Sequence, residues 1–339
     1  MVTISEVARE AGVSISTVSY TLSRKRPISA ETRERVEAAI KRLNFVPKAS
    51  ARALAARRSG IIAVTAPFHA DTDPSDHMLF AMQVTVAARA HGYDTLLLVD
   101  DDALEGMQRS SSTALADGII VLDVAAHDQR AELARAIDSP AVFIGVPDDA
   151  SDLTCVDVDF ENAVREALEQ LVAAGHRSVG LLSHPIELFE RDSGYATRIV
   201  RAFTSETERL GLEGAVVHPT TERAHEAVTE LLAKLPGVTA LIASTSMTVA
   251  RSLTAAFTER GVHVPDDMSI VTVGMIPVPG RKPLPFNSLP LDPKLTCPVA
   301  VDLLVAEIEG AESSGVRLLS PTYQDLGTVA QARVLEALG

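Results

Sequence analysis

The residues with the plainest chemical capacity lie in one short stretch, Gly12 to Leu22, GVSISTVSYTL, where Ser14, Ser16, Thr17, Ser19 and Tyr20 crowd hydroxyl groups together. A hydroxyl is a weak nucleophile without a base beside it, but a row of them hydrogen-bonds well to phosphate oxygens and base edges. The charge around them agrees. Residues 1 to 60 hold twelve Lys and Arg against five Glu, a net +7, in a chain whose net charge is −14, which leaves −21 for the rest. A basic head on an acidic body attracts a polyanion to one end only, and DNA is the polyanion that fits. Enzyme chemistry finds no foothold: there is no GxSxG elbow, P-loop or HExxH, and the first strand-to-helix turn carries no dinucleotide GxGxxG. The nine histidines are scattered, and Cys155 and Cys297 lack the paired spacing of a zinc or redox site and read as buried small hydrophobes. The alternating Asp157, Asp159 and Glu161 could suggest a metal, but Asp159 is more simply the cap of a helix beginning near Phe160. Neither a cofactor nor a metal is expected.

Three helices would position the hydroxyl row. Thr3 and Glu6 have the spacing of a capping box, with Ile4, Val7, Ala8 and Ala11 at helical period behind them. Gly12 ends that helix and Ser14 caps a second, in which Ile15, Val18 and Leu22 point one way and Ser16, Thr17, Ser19 and Tyr20 the other. Ser29 caps a third, whose core stripe is Val36, Ala39, Ile40 and Leu43. The spacing predicts a helix-turn-helix headpiece over 1–46. With 46% hydrophobic content, 339 residues suffice for this headpiece and a two-lobed body. The N-terminus MVTISEV lacks a basic-then-apolar leader and no apolar run approaches bilayer length, which points to a cytoplasmic protein without membrane contact.

The run VTISEVAREAGVSISTVSYTLS…ISAETRERVEAAIKRLNFVPKASARALA resembles the headpiece of the lactose-repressor-type (LacI/GalR) family of bacterial transcription regulators, densely over residues 2 to 58. The resemblance implies that Ile15, Ser16 and Tyr20 face base edges, that Thr17 and Ser19 hold phosphates, and that Pro47 to Ala56, within a linker over 47–60, form a hinge helix that folds on operator DNA. It implies that Leu54 wedges into the minor groove, with the small Ala51 and Ala53 letting two hinge helices approach. Thr3, Ser14, Ser29, Arg24, Arg33, Lys48 and Arg52 complete the DNA-facing set. Where Tyr20 stands, most similar sequences carry an arginine that reads guanine. A phenol offers one hydroxyl and not a planar fork, so the family's half-site does not carry over.

Beyond Ser59-Gly60, apolar runs at 61–67, 95–100, 118–123, 141–146, 178–183, 239–244 and 268–274 alternate with helical patterns at 75–91, 160–174, 195–210 and 247–260. Such alternation means α/β lobes with parallel sheets covered on both faces. Open parallel sheets bind ligands beyond the carboxyl ends of their strands, which nominates Phe68, Asp71, Asp73, His77, Asp123, Arg191, Ser244 and Met275. The body resembles the periplasmic-binding-protein-like effector domain of the same family, with landmarks Gly92-Tyr93-Asp94, Gly175-His176 and Arg191-Asp192-Ser193-Gly194. That likeness implies lobe one at about 61–158 and 289–316, lobe two at about 159–287 and 318–339, and Arg191 as a clamp on effector oxygens. Where the family has an asparagine-aspartate pair and a GYDD-like motif, this chain has Ser244-Thr245 and Thr272-Val273-Gly274-Met275, so the acid that holds sugar hydroxyls is replaced by Gly274. By family frequency the expected effector is a sugar; a nucleobase, another polar metabolite, or an empty cleft stay open. The expected assembly is a homodimer, a repressor on a near-palindromic operator, and the short tail after Gly327 leaves no room for a tetramerising coiled coil. A secreted solute-binding receptor would share the two lobes, but the basic headpiece and the missing leader argue against it.

Overall fold

The computed structural model describes residues 2–23, 28–45, 58–67, 74–99, 103–219, 223–278, 280 and 282–333. The expected hinge helix, and with it Arg24, Lys48, Ala51, Arg52 and Leu54, lies outside the described residues, as do Phe68, Asp71 and Asp73.

Thr3 sets the first helix. Its hydroxyl accepts the Glu6 N–H at 3.4 Å while the Glu6 carboxylate accepts the Thr3 N–H at 2.7 Å, the reciprocal pair that T-x-x-E predicts. Helix α1 (Ile4–Ala11) stops at Gly12, whose φ of +63° only glycine adopts without strain. Helix α2 (Ile15–Ser23) begins under Ser14, which accepts the Thr17 N–H at 3.1 Å, and α3 (Ala30–Leu43) begins under Ser29, which accepts that of Thr32 at 3.3 Å. Val7, Ala8, Ala11, Val18, Val36 and Ala39 close one small core between the three helices. Ile15 is not part of it. Helical period alone placed Ile15 beside Val18, but it sits in the first turn, past the edge of α1, and is 50% exposed.

The body starts where the Asp117 carboxylate accepts the backbone N–H groups of Ser59 and Gly60 at 2.6 and 2.8 Å, fixing the chain as it enters β1. Lobe one is then laid down in order as β1 (Ile61–Thr65), α4 (Pro74–Ala90), β2 (Asp94–Leu98), α5 (Leu104–Ser112), β3 (Gly118–Val121), α6 (Gln129–Ala136), β4 (Ala141–Ile144) and β5 (Thr154–Val158). Lobe two follows as α7 (Phe160–Ala173), β6 (Ser178–Leu182), α8 (Ile186–Glu190), α9 (Gly194–Leu210), β7 (Glu213–Val217), α10 (Ala224–Lys234), β8 (Ala240–Ala243), α11 (Met247–Thr258), β9 (Ser269–Val273) and β10 (Asn287–Leu289). The chain returns to lobe one as α12 (Pro293–Ile308) and β11 (Gly315–Leu319), then runs back along lobe two, where the Ile270 N–H donates to the Thr328 carbonyl and that of Ala332 to Ala174.

Among the described residues every ladder is parallel, in the orders β11-β5-β4-β3-β1-β2 and β10-β9-β8-β6-β7. Side chains alternate across each sheet, so neighbours such as Ile119 and Ile120 serve opposite cores. One face of lobe one packs on α4 and α12 through Val84, Ala300 and Leu304, the other on α5 and α6 through Met107 and Ala131. Lobe two repeats the plan, with α7 and α9 on one face and α10 and α11 on the other. Burial on both faces is why the strands read as continuous apolar runs. The return to lobe one differs from its expected bounds: Leu289 still pairs with Val273 in the lobe-two sheet, and β11 carries lobe one past 316 to Leu319.

Candidate DNA-reading face and inter-lobe cavity

On the headpiece, Val18 turns inward and is fully buried, which leaves Ser14, Ile15, Ser16 and Tyr20 exposed, with Thr17 and Ser19 half-buried beside them. The Ser14 hydroxyl lies 2.7 Å from that of Ser16 and 2.8 Å from that of Thr17. The three form a local cluster whose protons can turn outward to acceptors, and half-exposed Ile15 adds a methyl surface suited to an apolar base edge. Thr3, Ser29 and Arg33 are exposed at helix starts on the same small domain.

Between the lobes lies a cavity of about 530 Å³ at the carboxyl ends of both sheets. Four of the expected effector residues line it: His77, Asp123, Arg191 and Met275. Ser244 does not; it is 1% exposed beneath the wall, and the next two residues, Thr245 and Ser246, reach the cavity instead. The sequence reading also passed over Phe160, His184, Glu187 and Tyr195. All four follow strand ends, the same signal that nominated the rest, but Phe160 and Tyr195 read as helix core and His184 and Glu187 as loop.

Asp123 is the polar centre of the lobe-one wall. Its Oδ2 lies 3.5 Å from His77 Nε2 and 3.7 Å from Arg191 Nη1. Burial opposes its ionisation, yet the hydrogen bond and charge of His77, then Arg191 and Arg130, outweigh that and hold the carboxyl below the usual range. Its backbone is left-handed, φ +51°, an unusual setting that something must enforce. Arg130 enforces it. This guanidinium, 4% exposed, donates to the carbonyls of Leu122 and Asp123 at 2.8 and 2.7 Å and to both oxygens of equally buried Asp128 at 2.9 and 2.6 Å.

The same loop straps lobe one to lobe two. Ala125 and Ser193 form an antiparallel bridge, in which the Ala126 N–H donates to the Asp192 carbonyl at 2.7 Å and the Gly194 N–H to that of Val124 at 3.3 Å. A Cβ at Gly194 would stand 3.0 Å from the Val124 oxygen, so this approach needs glycine there. His127 adds its backbone N–H and its Nδ1 to the Asp192 carboxylate, at 2.7 and 2.8 Å.

On the far side of the cavity, the Asp157 carboxylate accepts Arg198 Nη1 at 2.8 Å and the Val158 N–H at 2.8 Å, while Arg198 also forks onto Glu161 at 2.8 and 2.6 Å. Burial pushes Asp157 upward against the pull of that arginine. Asp159 caps α7 by accepting the Asn162 N–H at 2.9 Å, so the three alternating carboxylates are engaged by an arginine and a helix start. His184, edge-on to Tyr195 with ring centroids 5.4 Å apart, is driven down to about 4 by burial and by its neighbour His218. The two cysteines are free and buried. No helix among the described residues is long and apolar enough to cross a membrane.

With this geometry in hand, comparison with known proteins is informative. Residues 3–48 match the family described as bacterial regulatory proteins, lacI family, and residues 168–325 match a periplasmic binding protein-like domain. The chain is 27% identical over 338 residues to the HTH-type transcriptional regulator CelR of Thermobifida fusca, covering 95% of this chain and 96% of that one. Its fold superposes on the Lac repressor dimer bound to operator and the anti-inducer ONPF with a TM-score of 0.78, at 24% identity, covering 97% of this chain and 99% of that one. It superposes on the CelR–cellobiose complex with a TM-score of 0.62, at 23% identity, covering 94% and 97%. A headpiece match, a body match and full-length regulators as relatives converge: the chain belongs to the lacI family of bacterial regulatory proteins and is a transcriptional regulator, not an enzyme.

Proposed function

We propose that the protein is a repressor that grips a near-palindromic operator as a homodimer and answers to a small effector seated between its lobes. The observation that carries the DNA-reading half is the outward face of α2, where four exposed residues stand opposite a fully buried Val18 on a domain of strongly positive charge. A single small headpiece grips weakly, and two joined ones gain by effective concentration. For the joining surface we assign the outer face of α4, where Met78, Met82 and Val86, one turn apart, are 41, 56 and 64% exposed. A bare apolar stripe of this kind on an otherwise packed helix suits a second copy of itself about a two-fold axis.

The effector reading rests on the cavity. It is of a size for a small organic molecule, polar groups from both lobes converge in it, and one relative is described in complex with cellobiose, which favours a carbohydrate-bearing ligand. A ligand that prefers one lobe arrangement shifts the separation of the two headpieces and so the affinity for DNA.

The test is a titration of the full chain against inverted-repeat duplexes, beginning with repeats upstream of its own gene, at several salt concentrations. Expected is tight binding to one repeat that weakens steeply with salt, and much weaker binding to scrambled duplex. Equal affinity for every duplex would remove the proposal.

A further inference from the structure

The inter-lobe cavity has two chemically different ends, and strand order sorts them. In the lobe-two sheet, β10 and β9 lie toward one edge and β6 toward the other, so Leu291, Met275 and Gly274 stand apart from Glu187 and Arg191. The lobe-one sheet repeats the sense, with Phe160 following β5 and with Asp123 and His77 following β3 and β1. Contacts join like to like. Asp123 meets Arg191 and His77, whereas a Cβ at Gly274 would lie 3.3 Å from the Phe160 ring. The chain crosses between lobes after Val158 and Leu289, which makes the apolar end the hinge end and the charged end the mouth. Exposure runs the same way: Phe160 is 1% and Met275 7% exposed, against 17 and 23% for the side chains of Asp123 and Arg191.

The polar atoms near the hinge end are largely committed. Asp157 has one oxygen on Arg198 and the other on the Val158 N–H. Midway, the Thr245 hydroxyl is buried, 2% exposed, and has no protein partner, so it is the polar atom that awaits a ligand.

Resting on the reading of the cavity as the effector site, we propose that the effector is amphipathic: a hydroxylated ring at the mouth joined to an apolar, ring-sized group at the hinge end, as in an aryl glycoside, and not a free sugar. A hydroxylated ring at the mouth meets Asp123, Arg191 and Glu187, with Thr245 where the two parts join. Hydroxyls carried to the hinge end would lose their water partners and find few protein ones. An apolar ring there covers Phe160, Met275 and Leu291, and the missing side chain at Gly274 leaves it room.

The experiment is calorimetry on the full chain with phenyl glucoside, phenyl galactoside, the two free sugars and cellobiose. Expected is that one phenyl glycoside binds at least about tenfold more tightly than its free sugar and than cellobiose, the order of discrimination that one unpaired polar group imposes. Met275→Gln, which keeps the side-chain length but brings an amide to the hinge end, is expected to erase that preference while binding of the free sugar changes little. The comparison among ligands on the parent protein stands without the variant. Cellobiose or the free sugar equalling the glycoside would overturn the proposal and leave the cavity as the effector site. If no probe binds while operator binding persists, the proposal falls together with the carbohydrate reading of the cavity.

Discussion

Tyr20 is 36% exposed on the outward face of α2, and what it can say to a base edge is limited by a single hydroxyl. Tyr20→Ala is therefore expected to flatten base preference at one half-site position while total affinity, carried mainly by phosphate contacts, falls only a few-fold. Selection from a randomised half-site checks this; an unchanged preferred sequence would place the reading elsewhere. Arg130 lies deeper and acts through others. Arg130→Met strands the Asp128 carboxylate and two carbonyls in the interior, and losing one partner of such a pair is expected to lower unfolding free energy by ~3–5 kcal/mol, read from urea denaturation. His184 supplies the pH signature. Its folded value of about 4 lies below the ordinary 6.5, so the folded state binds fewer protons than the unfolded chain between those values. The stability this contributes is whole above pH 6.5 and drains away as pH falls toward 4. Asp157, shifted upward, works with the opposite sign, so the measurement is the difference between parent and His184→Gln melting curves, expected to open steadily over that range. Of the cavity residues, His77, Asp123, Arg191 and Met275 were legible because they follow strand ends and are polar or stand in a family motif. Thr245 and Phe160 were not, since nothing in a sequence says that a threonine is buried without a partner or that a helix-starting phenylalanine floors a cavity.

At the scale of elements, legibility follows burial. The seven strands visible as apolar runs are those covered on both faces or nearly so. Missed were β5, whose TCVDV carries the buried carboxylate that Arg198 requires, and β10, three residues defined by its ladder with β9. Missed too were the edge strands β7 and β11, half or more of whose residues are exposed, so that EGAVV and GVRLL lack a continuous apolar run. The landmarks of the body have physical grounds. Gly92 turns the chain at φ +81° out of α4, Tyr93 fills the lobe-one core, and Gly194 permits the strap. His176, buried, takes Thr239 and Ser269 hydroxyls at 2.8 and 2.9 Å and the Ala330 carbonyl at 3.1 Å, tying the last described segment to lobe two. In the headpiece the caps were written plainly, while Ile15 shows that helical period cannot tell where a neighbouring helix stops covering a face.

For the whole molecule, the proposed symmetric pairing makes the α4 stripe decisive. Met82→Glu would put a charge at the middle of an apolar self-contact, and two copies of it facing each other across the axis. Expected are a monomer in sedimentation velocity and a loss of operator affinity of about a hundredfold, since the gain from linked headpieces disappears. A variant that stays dimeric would move the interface off this helix.

The strap between Val124–His127 and Asp192–Gly194 has a kinetic consequence. Crossovers hold the lobes together on one side of the cavity and this bridge holds them on the other, so a seated molecule leaves only after two backbone hydrogen bonds and the His127–Asp192 contacts part together. Departure is thereby slower than diffusion alone would make it. The regulator averages its signal over the lifetime of that closed door, following sustained supply of its ligand and ignoring brief fluctuations.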